Sequence, residues 1–195
     1  MITKQDLKIT NIASSDNTRP VIAAVHVKAI KLTDPNGGAF NSPAGYAIRL
    51  AATDGYRLTE KTIPVETEPD FEEMLIPAKR LGDIAKLMTN KDSLEITKEH
   101  FIVTDFLGMP KAKVEIGQLV DGKYPEYEQL IPKDKVIASV HLNAKYLIHA
   151  LEQVDPKGSS TFTLELYEGK FTPVLIRSTR ELTGDIVSIV MPLKN

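Results

Sequence analysis

The sequence predicts an α+β protein made of repeated helix-plus-antiparallel-sheet units, and three observations lead there. Hydropathy switches between helical and strand periods along the chain, and a helix candidate followed by β-rich sequence occurs three times. The helix candidates open at Thr3, Pro77 and Asn143, about 74 and about 66 residues apart, so the units are similar in size. The chain has 195 residues, 42% hydrophobic and 26% charged, which is enough for one or two domains with a buried core.

In the first unit Thr3 can cap a short helix from Lys4 to Ala13, with Asp6 three positions on in an approximate capping box. SSDNTRP breaks it. VIAAVHVKAIKL (Val21 to Leu32) is rich in β-branched residues and reads as a strand, DPNGG turns the chain, and YAIRLAATD (Tyr46 to Asp54) reads as the next strand. Asp54-Gly55 suits a tight hairpin turn, because glycine reaches positive φ without a steric clash. RLTEKTIPVE returns as a polar-faced strand, and TEPDF is a connector.

The second unit opens with LIPAKRLGDIAKLM. Leu81, Ile84, Ala85 and Met88 fall at i, i+3, i+4 and i+7, and Pro77 suits a first helical turn. Asn90 ends the helix. SLEITKEH, FIVTDFLG and KAKVEIGQLV then read as three strands, and DGKYPEYEQLIPKDK as a linker. The third unit begins at VIASVHL. Asn143 caps AKYLIHALEQV, where Ala144, Leu147, Ile148 and Leu151 repeat the spacing, and TFTLELYEG, FTPVLIRST and GDIVSIVMPL follow as strands.

A unit of about 65 residues buries too little surface to be stable alone, so units should pair. The expected organisation is a domain over residues 1–133 built of two units, about 1–70 and 71–133. Residues 134–195 form a third half unit that joins the first domain or another chain.

Composition narrows the function classes. The absence of cysteine removes disulfides, thiolate metal sites and thiol nucleophiles, and fits a reducing, cytoplasmic setting. No apolar run approaches the roughly 20 residues of a membrane span, and MITKQDLKIT lacks an apolar signal core. The formal charge of −2 means that nucleic-acid binding would rest on clustered basic residues.

No phosphate-cradling glycine loop, H-E-x-x-H or G-x-S-x-G pattern occurs. His26, His100, His141 and His149 are scattered, so no metal site, cofactor or catalytic residue is assigned. Glu72-Glu73 lie beside a helix start, where the macrodipole accounts for them. Asp54 is better explained by turn geometry than as a catalytic acid.

Basic residues gather on the helix candidates: Lys4 and Lys8 on the first, Lys79, Arg80 and Lys86 on the second, Lys145 with His149 on the third. Such clustering suits sequence-independent contact with phosphates, and equally a solvated helix face. Base-reading signatures are absent from the sequence. At the C-terminal end Ile189, Val190, Met191, Pro192 and Leu193 read as a buried last strand or as an adaptable apolar surface for a peptide.

Four segments carry a family resemblance. LAATDGYRL (Leu50 to Leu58) resembles the A-T-D-G-H-R-L signature of the bacterial sliding clamp, the β subunit of DNA polymerase III, with Tyr56 in place of the common His. MLIPAKRLGDIAKLM resembles its I-V-P-[RK]-x-x-x-x-x-L-x-x-L helix, LVDGKYPEYEQLIPKD (Leu119 to Asp134) its L-[VI]-[DE]-G-x-[FY]-P-x-Y-x-x-[LV]-[IL]-P segment, and IVMPLKN its closing V-M-P-[ML]-[RK]. The order is the family's own. The match corresponds to the middle domain followed by the second half of the last.

The resemblance implies the sliding-clamp (DNA clamp) fold, with helices lining a hole for duplex DNA and sheets forming the outer wall. It implies a replication processivity factor that encircles DNA as a homo-oligomeric ring, with no enzymatic activity. DNA polymerase or other clamp-binding partners would dock a short motif, broadly Q-L-x-L-F. Carried over by motif, the peptide site comprises Thr53, Gly55, Tyr56, Arg57, Leu58 and Pro132 with Ile189, Val190, Met191, Pro192 and Leu193. Lys79 matches a basic position of the family pattern, while Lys4, Lys8, Arg80, Lys86 and Lys145 are DNA-binding candidates from helix-face reasoning. Twelve half-units around a family-like ring would correspond to about four chains of three. The competing expectation is a clamp-derived adaptor or inhibitor that keeps the peptide site and does not encircle DNA.

Overall fold

The computed structural model describes residues 1–32, 45–154, 161–169, 172–178 and 187–193. The turn expected at DPNGG and residues 155–160, between the third helix candidate and TFTLELYEG, lie outside the described residues. The chain divides into two compact units, Met1–Leu130 and Ile131–Asn195.

The first unit holds strands β1 (Ile2–Thr3), β2 (Ala24–Lys31), β3 (Tyr46–Thr53), β4 (Leu58–Val65) and β5 (Glu73–Pro77), then helix α1 (Ala78–Leu87) and strands β6 (Ser93–Ile96), β7 (His100–Thr104) and β8 (Pro110–Glu115). Two 3-10 helices, Asp6–Asn11 and Tyr127–Gln129, complete it. The strands form two antiparallel four-stranded sheets, ordered β4-β3-β2-β5 and β1-β6-β7-β8.

Each sheet borrows one strand across the boundary between the two sequence repeats. β5 precedes α1 and pairs with β2, from Ala24 opposite Pro77 to Lys28 opposite Glu73. β1 opens the chain and pairs with β6, Ile2 opposite Leu94. The halves are therefore interleaved as well as packed, and a single core serves both.

That core follows from strand alternation. Val25 and Val27 of β2, Ile48 and Leu50 of β3, Met74 and Ile76 of β5, Leu94 and Ile96 of β6, and Phe101 and Val103 of β7 all lie in it. Leu7 and Ile9 from the first 3-10 helix and Leu81, Ile84 and Met88 from the α1 segment join them. Each such side chain contributes about 1.5–3 kcal/mol when fully buried.

Two expectations change. The Lys4–Ala13 helix is a 3-10 helix over Asp6–Asn11, because its first carbonyls are engaged elsewhere. The Lys61 ammonium donates to the carbonyls of Gln5 and Asp6, both at 3.1 Å, and the Asp6 carboxylate accepts from the Thr3 N–H at 2.9 Å. Pro77 ends a strand and stands just before the helix, with ψ of 127°, instead of forming its first turn.

The second unit holds α2 (Ala144–Val154) and the antiparallel sheet β11-β10-β9, formed by β9 (Phe162–Glu165), β10 (Val174–Ser178) and β11 (Val187–Val190). Asn143 caps the helix, its Oδ1 accepting from the Lys145 N–H at 2.9 Å. The apolar stripe is rotated from the expected one. Ala150 and Val154 are buried with Ile176 and Val190, with Leu147 and Leu151 beside them, whereas Ile148 is 53% exposed.

Candidate functional site

The turn joining β3 to β4 is locked by its own polar side chains. The Thr53 hydroxyl donates to the Arg57 carbonyl at 2.8 Å and accepts the Gly55 N–H at 3.0 Å. Asp54 Oδ1 accepts the N–H groups of Tyr56 and Arg57 at 2.9 and 3.0 Å, and Oδ2 receives the Arg57 Nε at 2.9 Å. Those two backbone donors, then the guanidinium, hold the Asp54 carboxyl below the usual carboxylate range. Gly55 has φ +94°, a conformation that side-chain-bearing residues avoid.

This lock explains Asp54 as a turn former and aims its neighbours outward. Tyr56 is 99% exposed at the tip. Arg57 reaches back to the Asn11 carbonyl at 3.1 Å, and Leu58 is half-buried against an aromatic cluster behind the turn.

That cluster lies on the sheet face opposite the main core. Tyr124 stacks on His26 with centroids 4.9 Å apart, and Tyr127 meets both rings edge-on. Ala24, Ala51 and Leu75 form its floor. Glu73 Oε2 lies 3.2 Å from His26 Nε2, and Arg49 of β3 pairs with Glu128 at 2.8 Å. Burial pushes His26 below its ordinary value against the pull of Glu73, and pushes Tyr124 up to about 12. The segment read as a linker is thus a strap over the sheet. Its signal was the Tyr-Pro-x-Tyr spacing, which places two aromatics three residues apart.

In the second unit the last strand alternates sharply. Val190 is buried, while Ile189, Met191 and Leu193 are 60%, 58% and 49% exposed. The Leu193 N–H donates to the His141 carbonyl at 2.8 Å, fixing the segment after β11. Pro192 and Leu193 line a cavity of about 540 Å³, walled by Val140, His141, Tyr167 and Val174. Pro132 is exposed at the start of this unit.

The cationic candidates divide by what they touch. Lys4 donates to the Met88 carbonyl at 2.7 Å, and Arg80 to the carbonyls of Glu115 and Ile116 at 2.5 and 3.2 Å. Lys86 pairs with Asp83 at 2.7 Å on the α1 surface. Lys8, Lys79 and Lys145 are exposed.

Comparison with known proteins places this geometry. Residues 7–126 match the family model of the DNA polymerase III beta subunit, central domain. The beta sliding clamp of Synechocystis sp. is 29% identical over 170 residues, covering 78% of this chain and 40% of that protein. The beta sliding clamp of Halalkalibacterium halodurans is 30% identical over 138 residues, covering 67% of this chain and 31% of that protein. Among solved structures, the DNA polymerase III beta chain of Streptococcus pneumoniae TIGR4 superposes with TM-score 0.68 at 18% identity, over 99% of this chain and 48% of that one. The Bacillus subtilis DNA polymerase sliding clamp gives 0.68 at 19% identity, over 98% and 48%.

The architecture is the clamp fold. The chain belongs to the family of the DNA polymerase III beta subunit, the bacterial sliding clamps, and spans half or less of the length of these relatives.

Proposed function

We propose that the chain is a non-enzymatic DNA-replication processivity factor of the cytoplasm that encircles duplex DNA as an oligomeric ring and docks partner peptides. The family match across residues 7–126 carries this reading. Exposed Lys8, Lys79 and Lys145 support contact with phosphates, which is sequence-independent and salt-sensitive. The exposed Tyr56 at its rigid turn supports peptide docking on the first unit, and exposed Ile189, Met191 and Leu193 support it on the second. Neither role calls for a metal or cofactor.

The test compares retention on circular and linear duplex DNA across a salt series. Retention on the circle that is lost on linearisation supports encirclement, and Lys79→Glu combined with Lys86→Glu should weaken it. Binding of a labelled Q-L-x-L-F peptide is measured alongside, where Met191→Ala or Leu193→Ala should reduce affinity. Equal retention on both DNA forms would overturn the ring.

A second reading, an adaptor or inhibitor that binds clamp partners without encircling DNA, is favoured by the engagement of Lys4 and Arg80 with main-chain carbonyls. It predicts peptide affinity with no salt-dependent retention on DNA.

A further inference from the structure

The second unit leaves open a face that the first unit closes. In each, a helix is followed by an antiparallel three-stranded meander, α1 with β6-β7-β8 and α2 with β9-β10-β11. In the first unit the leading strand of the meander is sealed: Leu94 and Ile96 are 1% and 3% exposed within the shared core. In the second, register places Leu164 directly opposite the fully buried Ile176, on the same sheet face, and Phe162 two residues along. Yet Leu164 is 48% exposed and Phe162 40%. The helix α2 packs mainly on β10 and β11, so among the described residues the β9 side of its own sheet is left largely uncovered. Ala144 and Ile148, which complete the helical stripe visible in the sequence, are exposed as well.

We propose that this face docks the second unit of another copy of the chain, the two related by a two-fold axis. The proposal rests on the oligomeric reading above and names the surface through which copies meet. The first unit shows what covers such a face: a second helix-and-sheet half contributing apolar side chains. It cannot itself be the donor, because both of its sheets already turn their apolar inner faces into one core. Among the described residues, the inner face still open is that of the second unit, so a copy can offer only the same surface. A self-complementary apolar patch is what a two-fold interface requires.

Two measurements on the full chain test this. Sedimentation equilibrium over a concentration series should show reversible association, weakened about 100-fold or more by Leu164→Asp, which would place a carboxylate in an apolar contact. The chain has no cysteine, so Leu164→Cys supplies a single thiol. Its reaction with a maleimide should slow as chain concentration rises through the association range, while that of the exposed control Lys98→Cys should not. The thiol readout decides the matter should Leu164→Asp fail to fold. A monomer throughout, or association that leaves the Leu164→Cys thiol equally reactive, overturns the proposal. Neither measurement uses DNA or peptide. Association through this face without retention on circular DNA would therefore overturn the ring alone, and retention unaffected by Leu164→Asp would overturn this interface alone.

Discussion

The Lys4 ammonium donates to the main-chain carbonyl of Met88 at 2.7 Å, joining residues 84 positions apart. Met88 is the C-cap that follows α1, so the contact places a cation on a carbonyl at the helix C-terminus, where the macrodipole favours positive charge. Lys4→Ala should cost about 1 kcal/mol in urea unfolding. An unchanged midpoint would show that water replaces the ammonium without loss.

The Lys111–Asp92 pair gives an acid-stability prediction. The Lys111 ammonium 2.7 Å away, with the Thr89 N–H, lowers the Asp92 carboxyl to about 2. Because the folded value lies below the unfolded one of 3.8, the stabilisation is complete above pH 3.8 and is lost as pH falls toward 2. Asp92→Asn should be less stable than the parent at pH 6 and lose less on acidification between pH 4 and 2. Parallel stability curves for the two proteins would contradict this.

His26 acts at milder pH. Burial lowers its folded value below 6.5, so the unfolded chain takes up its proton first. Its contribution is complete above that pH and declines as pH drops below it. Replacing it by Phe should flatten the pH dependence of urea unfolding in this window while preserving the stack on Tyr124.

Tyr124 should matter more for its ring than for its hydroxyl. It is 7% exposed and packs between His26 and Tyr127. Tyr124→Ala should cost about 3 kcal/mol through the cavity it leaves, while Tyr124→Phe should stay within about 1 kcal/mol of the parent. Thermal unfolding of both variants gives the ordering.

The β3–β4 turn separates stability from binding. Tyr56→Ala should leave stability within about 0.5 kcal/mol, since the side chain is almost fully exposed, yet weaken the labelled peptide. Gly55→Ala should instead cost about 1 kcal/mol, because alanine is strained at φ +94°. A peptide titration paired with urea unfolding distinguishes the two effects.

Local patterns carried much of the fold. β2, β3 and α1 were legible because their apolar residues keep largely to a strand or helix period, and β4 because it returns from the Asp54-Gly55 turn. Glu73–Pro77 was hidden because its Leu75 and Ile76 run directly into a helical pattern, and Ile2–Thr3 is too short to show any period. The stripe on α2 was misplaced because Ile148 and Ala150 flank Leu147 and Leu151 and are both apolar, and only the sheet beneath decides between them. In the candidate site, the Thr53–Leu58 turn was readable from its residues. The contacts of Lys4 and Arg80 were not, since their acceptors are main-chain carbonyls of segments distant in sequence.

The pairing of Ile2 with Leu94 also sets a timetable for synthesis. Strand β1 must wait until about ninety further residues have left the ribosome before it finds its partner, whereas the β2–β3–β4 meander can close on itself much sooner. Nascent chains should therefore hold Ile2–Thr3 unpaired through much of translation, and a pause before Ser93 would prolong the interval in which that strand is open to proteases and chaperones.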